Sequence, residues 1–289
     1  MARPICRVAS FLSGLLARSR YDSLPVPTQL FWSRAGILPR MLEPQFGAIF
    51  AESSCIRRKQ LYLCVHCHGQ RISNEGNYFM CGISGYLDLD RGVDIGILRR
   101  MTDVIRHRGP DDEGYALIGP GGTSFFGGND TVKGLEVPPL ETAVGTASFL
   151  GFGHRRLSIL DLSVGGHQPM YLPERDITLI YNGELYNYME LRAQLEALGY
   201  TFHTTSDTEV LLYAYCEWGE DCLTQFNGMW GFALWDGQEN KLFCARDRLG
   251  AKPFHYWRQG NRIMFGSELK QLCQDGAVQR RFDTSYLAA

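Results

Sequence analysis

The residue whose chemistry organises this sequence is Cys81, which follows Met80 directly and opens a strand-like run of alternating apolar residues that ends at Leu89. A chain that began at Met80 and lost that methionine would carry a thiol and a free α-amino group on one residue. An α-amino group titrates at about 7.7–8.0, whereas a lysine side chain titrates at about 10.4. The amine would therefore be a suitable general base for the adjacent thiol, and the pair predicts a nucleophilic cysteine.

Seventy-nine residues precede Met80, and they differ in composition from the rest of the chain. Residues 1–79 hold ten Lys or Arg against four Asp or Glu, a charge of +6, whereas residues 80–289 carry a charge of −8. Prolines at positions 25, 27 and 39 and the lack of a sustained period argue against a packed unit. We expect a disordered leader or an upstream segment translated from an early start codon. Its attachment would convert the amine of Cys81 into an amide and block the base.

Two patterns in this segment allow other interpretations. The mildly apolar stretch from Val8 to Ala17 lies behind Arg3 and Arg7, as in a signal or transit peptide. The residues Cys64-Val65-His66-Cys67-His68 match the C-x-x-C-H pattern of c-type haem attachment. No haem pocket is evident around them, and one cysteine pair is too few for a structural zinc site. We favour the upstream-segment interpretation.

The composition excludes several classes of partner. A net charge of −2 and a pI near 6.4 give no reason to expect nucleic acid or an acidic membrane surface. No run of eighteen apolar residues is present, so a transmembrane helix is not predicted. Nine cysteines without a framework spacing indicate a reduced, cytoplasmic protein. The histidines His107, His154 and His167 lack metal-ligand spacing, so no metal site is predicted and we interpret them as structural.

The pattern of elements beyond Met80 predicts an α+β layered sandwich, because many short strands and a few helices occur without regular alternation. Asp94 is a predicted helix cap, and Gly199 is a predicted helix stop. Residues Gly119 to Thr146 are Gly-rich and predict a surface insertion. The predicted elements that bear on the site are strands at Cys81–Leu89, Ser148–Phe152, Arg156–Leu160 and Ile177–Tyr181 and helices at Tyr188–Leu198 and from Asp207 to about Trp218.

Five ordered motifs accompany Cys81, and together they resemble the N-terminal glutaminase domain of glutamine-hydrolysing asparagine synthetases. Domains of this kind are class II, or N-terminal-nucleophile, glutamine amidotransferases. The resemblance runs from residue 80 to about residue 273. The motifs are the His107–Gly114 loop, Gly153-His154-Arg155-Arg156-Leu157-Ser158-Ile159, Tyr181-Asn182-Gly183-Glu184-Leu185-Tyr186-Asn187, Ser206-Asp207-Thr208-Glu209 and Ala245-Arg246-Asp247-Arg248-Leu249-Gly250-Ala251-Lys252-Pro253.

The resemblance implies a four-layer αββα sandwich of the N-terminal-nucleophile hydrolase type, and it assigns the chemistry. The thiol of Cys81 would attack the side-chain amide of L-glutamine, with its own amine as base. A thioester would form, ammonia would leave, and water would release glutamate. The side-chain amide of Asn182 and the backbone N–H of Gly183 would stabilise the tetrahedral oxyanion, a contribution worth about 2.7–4 kcal/mol per donor.

The resemblance also assigns the substrate-binding residues. Arg156 would hold the α-carboxylate of glutamine, for which a planar bidentate cation is well suited. Glu184 and Asp207 would hold the α-ammonium group. The remaining predicted contacts are Asn182, Gly183 and the backbone of Leu157, Ser158, Ile159 and Leu160.

The predicted organisation is a leader at residues 1–79, an amidotransferase domain at 80–273 and the start of a truncated synthetase domain at 274–289. A synthetase domain would use Mg-ATP to amidate aspartate with the ammonia, and nothing in this sequence resembles its phosphate-binding loop. We therefore expect no cofactor for the glutaminase half-reaction. The expected acceptor of ammonia is a synthetase domain or subunit outside this sequence, and a homodimer is a further expectation.

Three alternatives stay open at this point. The glucosamine-6-phosphate and amidophosphoribosyl amidotransferases are expected to share the fold and the nucleophile. Amidotransferases of surface-polysaccharide clusters resemble this sequence as well. A catalytically silent module that binds glutamine, with Cys81 blocked by the leader, belongs to a different class of function and would release no glutamate.

Overall fold

The computed structural model describes residues 60–64, 80–158, 161 and 163–279, which form two β-sheets and their flanking helices. In chain order, the strands and α-helices are β1 (Gln60–Cys64), β2 (Gly82–Asp88), α1 (Ile95–Asp103), β3 (Asp112–Gly119), β4 (Gly122–Gly127), β5 (Leu150–Arg156), β6 (Met170–Leu172), β7 (Ile177–Leu185), α2 (Tyr188–Ala197), α3 (Asp207–Trp218), α4 (Cys222–Gln225), β8 (Gly228–Asp236), β9 (Lys241–Arg246), β10 (His255–Gln259), β11 (Arg262–Gly266) and α5 (Leu269–Leu272).

One sheet has six strands in the order β10-β11-β2-β5-β3-β4, and the other has five in the order β1-β9-β8-β7-β6. All pairs are antiparallel except β1 with β9, which is parallel. Strand β2 lies between β11 and β5, so the residue just before it is held at the end of a central strand.

Three separate apolar clusters identify the layers. One lies between the two sheets and includes Ile83, Ile180 and Trp235. A second lies between the five-stranded sheet and helices α2 and α3, and a third lies between the six-stranded sheet and helices α1 and α5. The order is thus helices, sheet, sheet, helices, and the predicted αββα sandwich of the α+β class is confirmed.

The ends of the helices follow the predicted capping chemistry. The carboxylate of Asp94 accepts a hydrogen bond from the amide of Ile97, which caps α1. Helix α2 ends before Gly199, which has a φ of 99°, a left-handed conformation that a residue with a Cβ adopts only at a cost. The hydroxyl of Ser206 accepts from the amide of Thr208 and starts α3.

Two sequence predictions about the six-stranded sheet are wrong. The segments Ser148–Phe152 and Arg156–Leu160 are not two strands, because Leu150–Arg156 is one continuous central strand paired with β2 and β3. Gly153, which lies in the gap between the two predicted strands, is a point of close packing, where a Cβ would lie 2.2 Å from the hydroxyl oxygen of Thr102. The Gly119–Thr146 segment is not wholly an insertion, since Gly122–Gly127 forms the edge strand β4.

The predicted leader contains one described element. Residues 60–64 form β1 on the edge of β9, so the prediction of disorder is wrong for these five residues. The rest of residues 1–79 lies outside the described part of the chain, as do His66, Cys67 and His68 of the C-x-x-C-H pattern. The domain boundary at residue 273 stays a prediction, although Val278 packs against the cluster around α1. No helix in the described ranges is long and apolar enough to span a membrane.

Packing between β2 and β11 provides a test of the fold. A Cβ at Gly85 would lie 1.9 Å from Cζ of Phe265, in the middle of the core between the sheets. Overpacking of this kind typically costs 1–3 kcal/mol. We expect Gly85→Ala to lower the free energy of unfolding by about that amount, measured by urea denaturation followed by circular dichroism.

The matched control is Gly121→Ala, because a Cβ at Gly121 meets no atom within 4 Å. This variant should unfold within about 0.5 kcal/mol of the parent chain. A smaller loss for Gly85→Ala in a Phe265→Leu background would confirm the contact. An equal loss in both backgrounds would contradict it.

Candidate functional site

The thiol of Cys81 lies at the entrance of β2, next to the end of β5. The backbone N–H of Leu157 donates a hydrogen bond to Sγ of Cys81 at 3.3 Å, and the thiol lies 3.5 Å from the carbonyl oxygen of the same residue. Burial raises the pKa of the Cys81 thiol, whereas the Leu157 amide and the charges of Arg156 and Lys252 oppose that rise. The sulfur is thus fixed in position and mainly protonated at neutral pH.

A pocket opens beside this thiol and contains most of the predicted site residues. Those found in its lining are Cys81, Arg156, Leu157, Asn182, Gly183, Glu184 and Asp207. Lining residues to which the sequence analysis gave no role are Met80, Gly166, Gln168, Tyr181, Ser206, Thr208 and Lys252. The two sheets and the start of α3 therefore contribute to one cavity.

The side chain of Asn182 is the unpaired donor of the pocket. The residue is only 1% exposed, and yet its buried Nδ2 has no hydrogen-bond partner among the described residues. Alternation along β7 gives Asn182 the same face as Ile180, which packs between the sheets. Cys81 likewise shares the face of Ile83. A buried amide without an acceptor is costly, so this position favours a ligand that brings an oxygen.

The edge of β7 that faces away from β8 supplies a second donor. The amide of Tyr181 donates to the side-chain oxygen of Gln168 at 2.7 Å, and that of Leu185 donates to Asp207 at 3.0 Å. Because successive amides along a strand alternate in direction, the N–H of Gly183 points to the same side as these two. No side chain or loop carbonyl of the described residues accepts from it. A Cβ at Gly183 would lie 2.4 Å from the Tyr181 ring, which accounts for the glycine.

The carboxylate of Asp207 sits at the N-terminus of α3 and is 5% exposed. Its Oδ2 accepts from the hydroxyl of Tyr181 at 2.9 Å and from the amide of Leu185 at 3.0 Å. Burial raises the pKa of Asp207, and these two hydrogen bonds oppose the rise. Glu184 lines the same side, so this end of the pocket can bind a cation.

The guanidinium of Arg156 belongs to a residue that also lines the pocket. It donates to the carbonyl oxygens of Ser163 and Asp161 in the loop after β5. Gly166 lies against it, and a Cβ there would lie 2.0 Å from a guanidinium nitrogen of Arg156. The absence of a side chain at position 166 is therefore required for this arginine to reach the pocket.

The other predicted backbone contacts are only partly described. The amide of Ser158 donates to Asp111 at 2.8 Å, and Ser158 is not in the pocket lining. Ile159 and Leu160 lie outside the described residues. Of the segment from Leu157 to Leu160, only Leu157 thus has a described contact with the thiol.

Lys252 is the most informative pocket residue that the sequence analysis did not assign. The segment Ala245–Pro253 was part of the family resemblance, but its lysine had no role because nothing local shows where the loop folds back. In the structure this loop brings Nζ of Lys252 to 3.1 Å from Sδ of Met80. Only long-range packing could have revealed it.

The three histidines considered above, His107, His154 and His167, have structural contacts. His107 pairs with Glu268 at 3.0 Å, and His167 pairs with Asp112 at 2.8 Å. His154 donates to the carbonyl oxygen of Tyr181 at 3.0 Å, and burial lowers the pKa of His154 to about 3, which keeps it neutral. Across the described ranges, no group of three or more His, Cys, Asp or Glu side chains is arranged to hold a metal ion.

Comparison with known sequences identifies the family. The profile of the glutamine amidotransferase domain matches residues 139–289. Asparagine synthetase 3 of Bacillus subtilis, a glutamine-hydrolysing enzyme, is 39% identical over 213 residues, which cover 72% of this chain and 30% of that protein. Putative asparagine synthetase 2 of Methanocaldococcus jannaschii is 39% identical over 205 residues, or 66% of this chain and 34% of that protein. The chain thus spans about a third of the length of these relatives.

Comparison with solved structures supports the fold independently. The glutamine phosphoribosylpyrophosphate amidotransferase of Bacillus subtilis superposes with a TM-score of 0.56 over 67% of this chain and 43% of that chain, at 21% identity. The superposition agrees with the layers described above. The sequence profile, which covers more than half of the chain, shows the family: this chain belongs to the glutamine amidotransferase domain family.

Proposed function

We propose that this domain hydrolyses L-glutamine to glutamate and ammonia, with Cys81 as the nucleophile. The observation that carries the proposal is the shared pocket, whose lining brings together the thiol of Cys81, the unpaired amide of Asn182, the guanidinium of Arg156 and the carboxylates of Glu184 and Asp207. Glutamine has the matching groups, since its amide carbon needs a nucleophile and an oxyanion donor and its α-carboxylate and α-ammonium need opposite charges. The family and its relatives support the same substrate.

The reaction requires a free α-amino group on Cys81. That amine would take the proton of the thiol, and the resulting thiolate would add to the amide carbon of glutamine. The oxyanion would accept hydrogen bonds from Nδ2 of Asn182 and the N–H of Gly183. The ammonium of Cys81 would return the proton to the leaving nitrogen as the C–N bond breaks. Water would then hydrolyse the thioester, with the amine again as base.

Substrate recognition would depend on charge at both ends of the pocket. Arg156 would bind the α-carboxylate of glutamine, and Asp207 and Glu184 would bind its α-ammonium group. Oδ2 of Asp207 accepts hydrogen bonds from Tyr181 and Leu185, which orient that carboxylate at the N-terminus of α3. Leu157 would hold the sulfur, and Ser158, Ile159 and Leu160 stay predicted contacts.

We extend the proposal to asparagine synthesis, because the two relatives described above are asparagine synthetases. The ammonia would pass to a synthetase domain or subunit that activates aspartate with Mg-ATP, and the glutaminase step itself would use no cofactor. A cytoplasmic location and a homodimer are further proposals. No observation favours the glucosamine-6-phosphate, amidophosphoribosyl or surface-polysaccharide acceptors over this one.

The first test is the dependence of activity on the amine. A full chain with a site-specific protease sequence directly before Cys81 can be folded and then cut, so that one preparation is compared before and after cleavage. Glutamate release from glutamine should appear only after cleavage, and Cys81→Ala should abolish it. Intact mass would verify the new terminus. Glutamine binding without glutamate release in the cleaved chain would instead support the silent binding module.

The second test concerns the oxyanion. In the cleaved chain, Asn182→Ala should lower kcat by roughly 10²–10³-fold with little change in KM, because the donor acts mainly on the transition state. The control Asn261→Ala removes an exposed amide that donates to Asp90, outside the pocket, and should leave both constants unchanged. A fall in kcat of less than threefold for Asn182→Ala would contradict the role of this residue.

The third test concerns the α-ammonium site. Because the pKa of Asp207 is raised, this carboxylate should become protonated at a higher pH than an ordinary aspartate. KM for glutamine should therefore rise as the pH falls through that raised pKa, and Asp207→Asn should raise KM by about 10–100-fold at neutral pH. The loss of a charged hydrogen bond is the physical reason.

A second buried Asp–Tyr pair provides the control. Asp236 accepts from the hydroxyl of Tyr215 at 3.1 Å, outside the pocket. Asp236→Asn should alter stability and leave KM unchanged. If both Asn variants raised KM equally, the effect at Asp207 would be one of folding and not of recognition.

A further inference from the structure

Lys252 is a buried lysine beside the position of the nucleophile. The residue is 7% exposed, and its Nζ lies 3.1 Å from Sδ of Met80, the residue that precedes Cys81. Among the described residues, no carboxylate lies within ion-pairing distance of this ammonium. The burial of a lysine without a carboxylate partner is unfavourable, which points to a function for its charge.

The loop between β9 and β10 fixes the position of Lys252. Asp247 is buried and accepts hydrogen bonds from the amides of Leu249, Ala251 and Lys252 at 2.8–3.1 Å. The guanidinium of Arg246 donates to the carbonyl oxygen of Lys252 at 2.6 Å. The backbone of the lysine is thereby held, and from this position its ammonium contacts Met80.

Of Arg108 and Lys252, which contact residues 81 and 80, only Lys252 lacks a carboxylate partner among the described residues. Arg108 also approaches the terminus and donates to the carbonyl oxygen of Cys81 at 3.1 Å, but its charge is paired with Glu268 at 3.2 Å. Burial lowers the pKa of Lys252, and the Cys81 thiol opposes this effect. The other charged groups that face this region are Glu184, Asp247, Arg156 and Asp207.

We infer that Lys252 is a positioning residue that acts on the α-amino group of Cys81: its ammonium disfavours protonation of the terminal amine, so that the amine is available as a base near neutral pH. The inference rests on the proposed function. Lys252 adds an electrostatic contribution to the proposed mechanism, and its charge is expected to lower the pKa of the terminal amine.

The direction of the pKa shift of the Cys81 amine follows from the repulsion between like charges. An unperturbed α-amine with a pKa of about 7.7–8.0 is mostly protonated at pH 7 and cannot accept a proton from the thiol. A nearby ammonium disfavours the charged form of that amine and lowers its pKa. The same positive charge favours the thiolate of Cys81. The first effect keeps the amine unprotonated near neutral pH, so that it can accept a proton, and the second makes the thiol a stronger acid.

An alternative role for Lys252 makes a different prediction. If Lys252 were itself the base, its removal would abolish activity at every pH. If it acts through the amine, its removal would shift the pH dependence and preserve activity at high pH. The pH profile of one variant that lacks the charge of Lys252 therefore distinguishes the two roles.

The experiment uses the full chain cut before Cys81 and compares Lys252→Met with Lys252→Arg. We expect Lys252→Met to move the acidic limb of kcat/KM for glutamate release upward by about one pH unit, the common size of a shift caused by a nearby charge. Activity near the alkaline plateau should be retained. Lys252→Arg keeps the charge and should keep the limb within a few tenths of a unit, as should the exposed control Lys133→Met.

A second measurement does not require activity. In the Cys81→Ala background, the cut chain has an α-amine at the same place, whose pKa can be followed by NMR after isotopic labelling of that residue. We expect that pKa to rise by about one unit on Lys252→Met and to be unchanged on Lys133→Met. This result would support the inference even if no variant released glutamate, in which case the proposed function alone would fail.

Three outcomes would overturn the inference. The first is an amine pKa that Lys252→Met leaves unchanged. The second is an acidic limb that does not move in an active Lys252→Met chain. The third is a folded Lys252→Met chain that stays inactive even at pH values well above the pKa of its terminal amine, which would make Lys252 itself the base.

Discussion

The face-to-face packing of the two sheets is the constraint on which the rest of the structure depends. Ile83 on β2 and Ile180 on β7 are buried in the same cluster between the sheets. Since side chains alternate along a strand, Cys81 and Asn182, each two residues away, share those faces and meet at the end of the interface. The thiol of Cys81 and the side-chain amide of Asn182 therefore come together because apolar residues next to them are removed from water.

The charged groups of the pocket come from the ends of elements and not from their middles. Arg156 ends β5, Asp207 begins α3, and Lys252 lies in a loop held by Asp247. Buried charges are costly unless polar groups surround them. Carbonyl oxygens serve Arg156, and a hydroxyl with a backbone amide serves Asp207. Placement at element ends makes such backbone partners available, which reconciles a polar pocket with an apolar core.

The residue upstream of Cys81 contacts the site and, through its peptide bond, sets the chemistry of the Cys81 nitrogen. The amide of Met80 donates to the carbonyl oxygen of Arg108 at 3.1 Å, and its thioether contacts Lys252. A peptide bond to Met80 removes the basicity of the Cys81 nitrogen, whatever the quality of the pocket around it. Strand β1 shows that part of this upstream sequence pairs with the edge of β9. Under the proposed function, the electrostatic environment of residue 81 would differ between a chain with the amide to Met80 and one with a free amine on Cys81.

The sequence by itself determined the local features: the alternation of β2, the cap at Asp94, the stop at Gly199 and the motif residues from Cys81 to Asp207. These depend on neighbours along the chain, whose propensities and hydrogen bonds are short-range. It did not predict β4, and it left a gap across Gly153 within β5, because a glycine can indicate either a turn or a point of close packing. Only tertiary structure decided that Lys252, Gln168 and Gly166 join the pocket, because their contacts span distant segments and depend on how the two sheets pack.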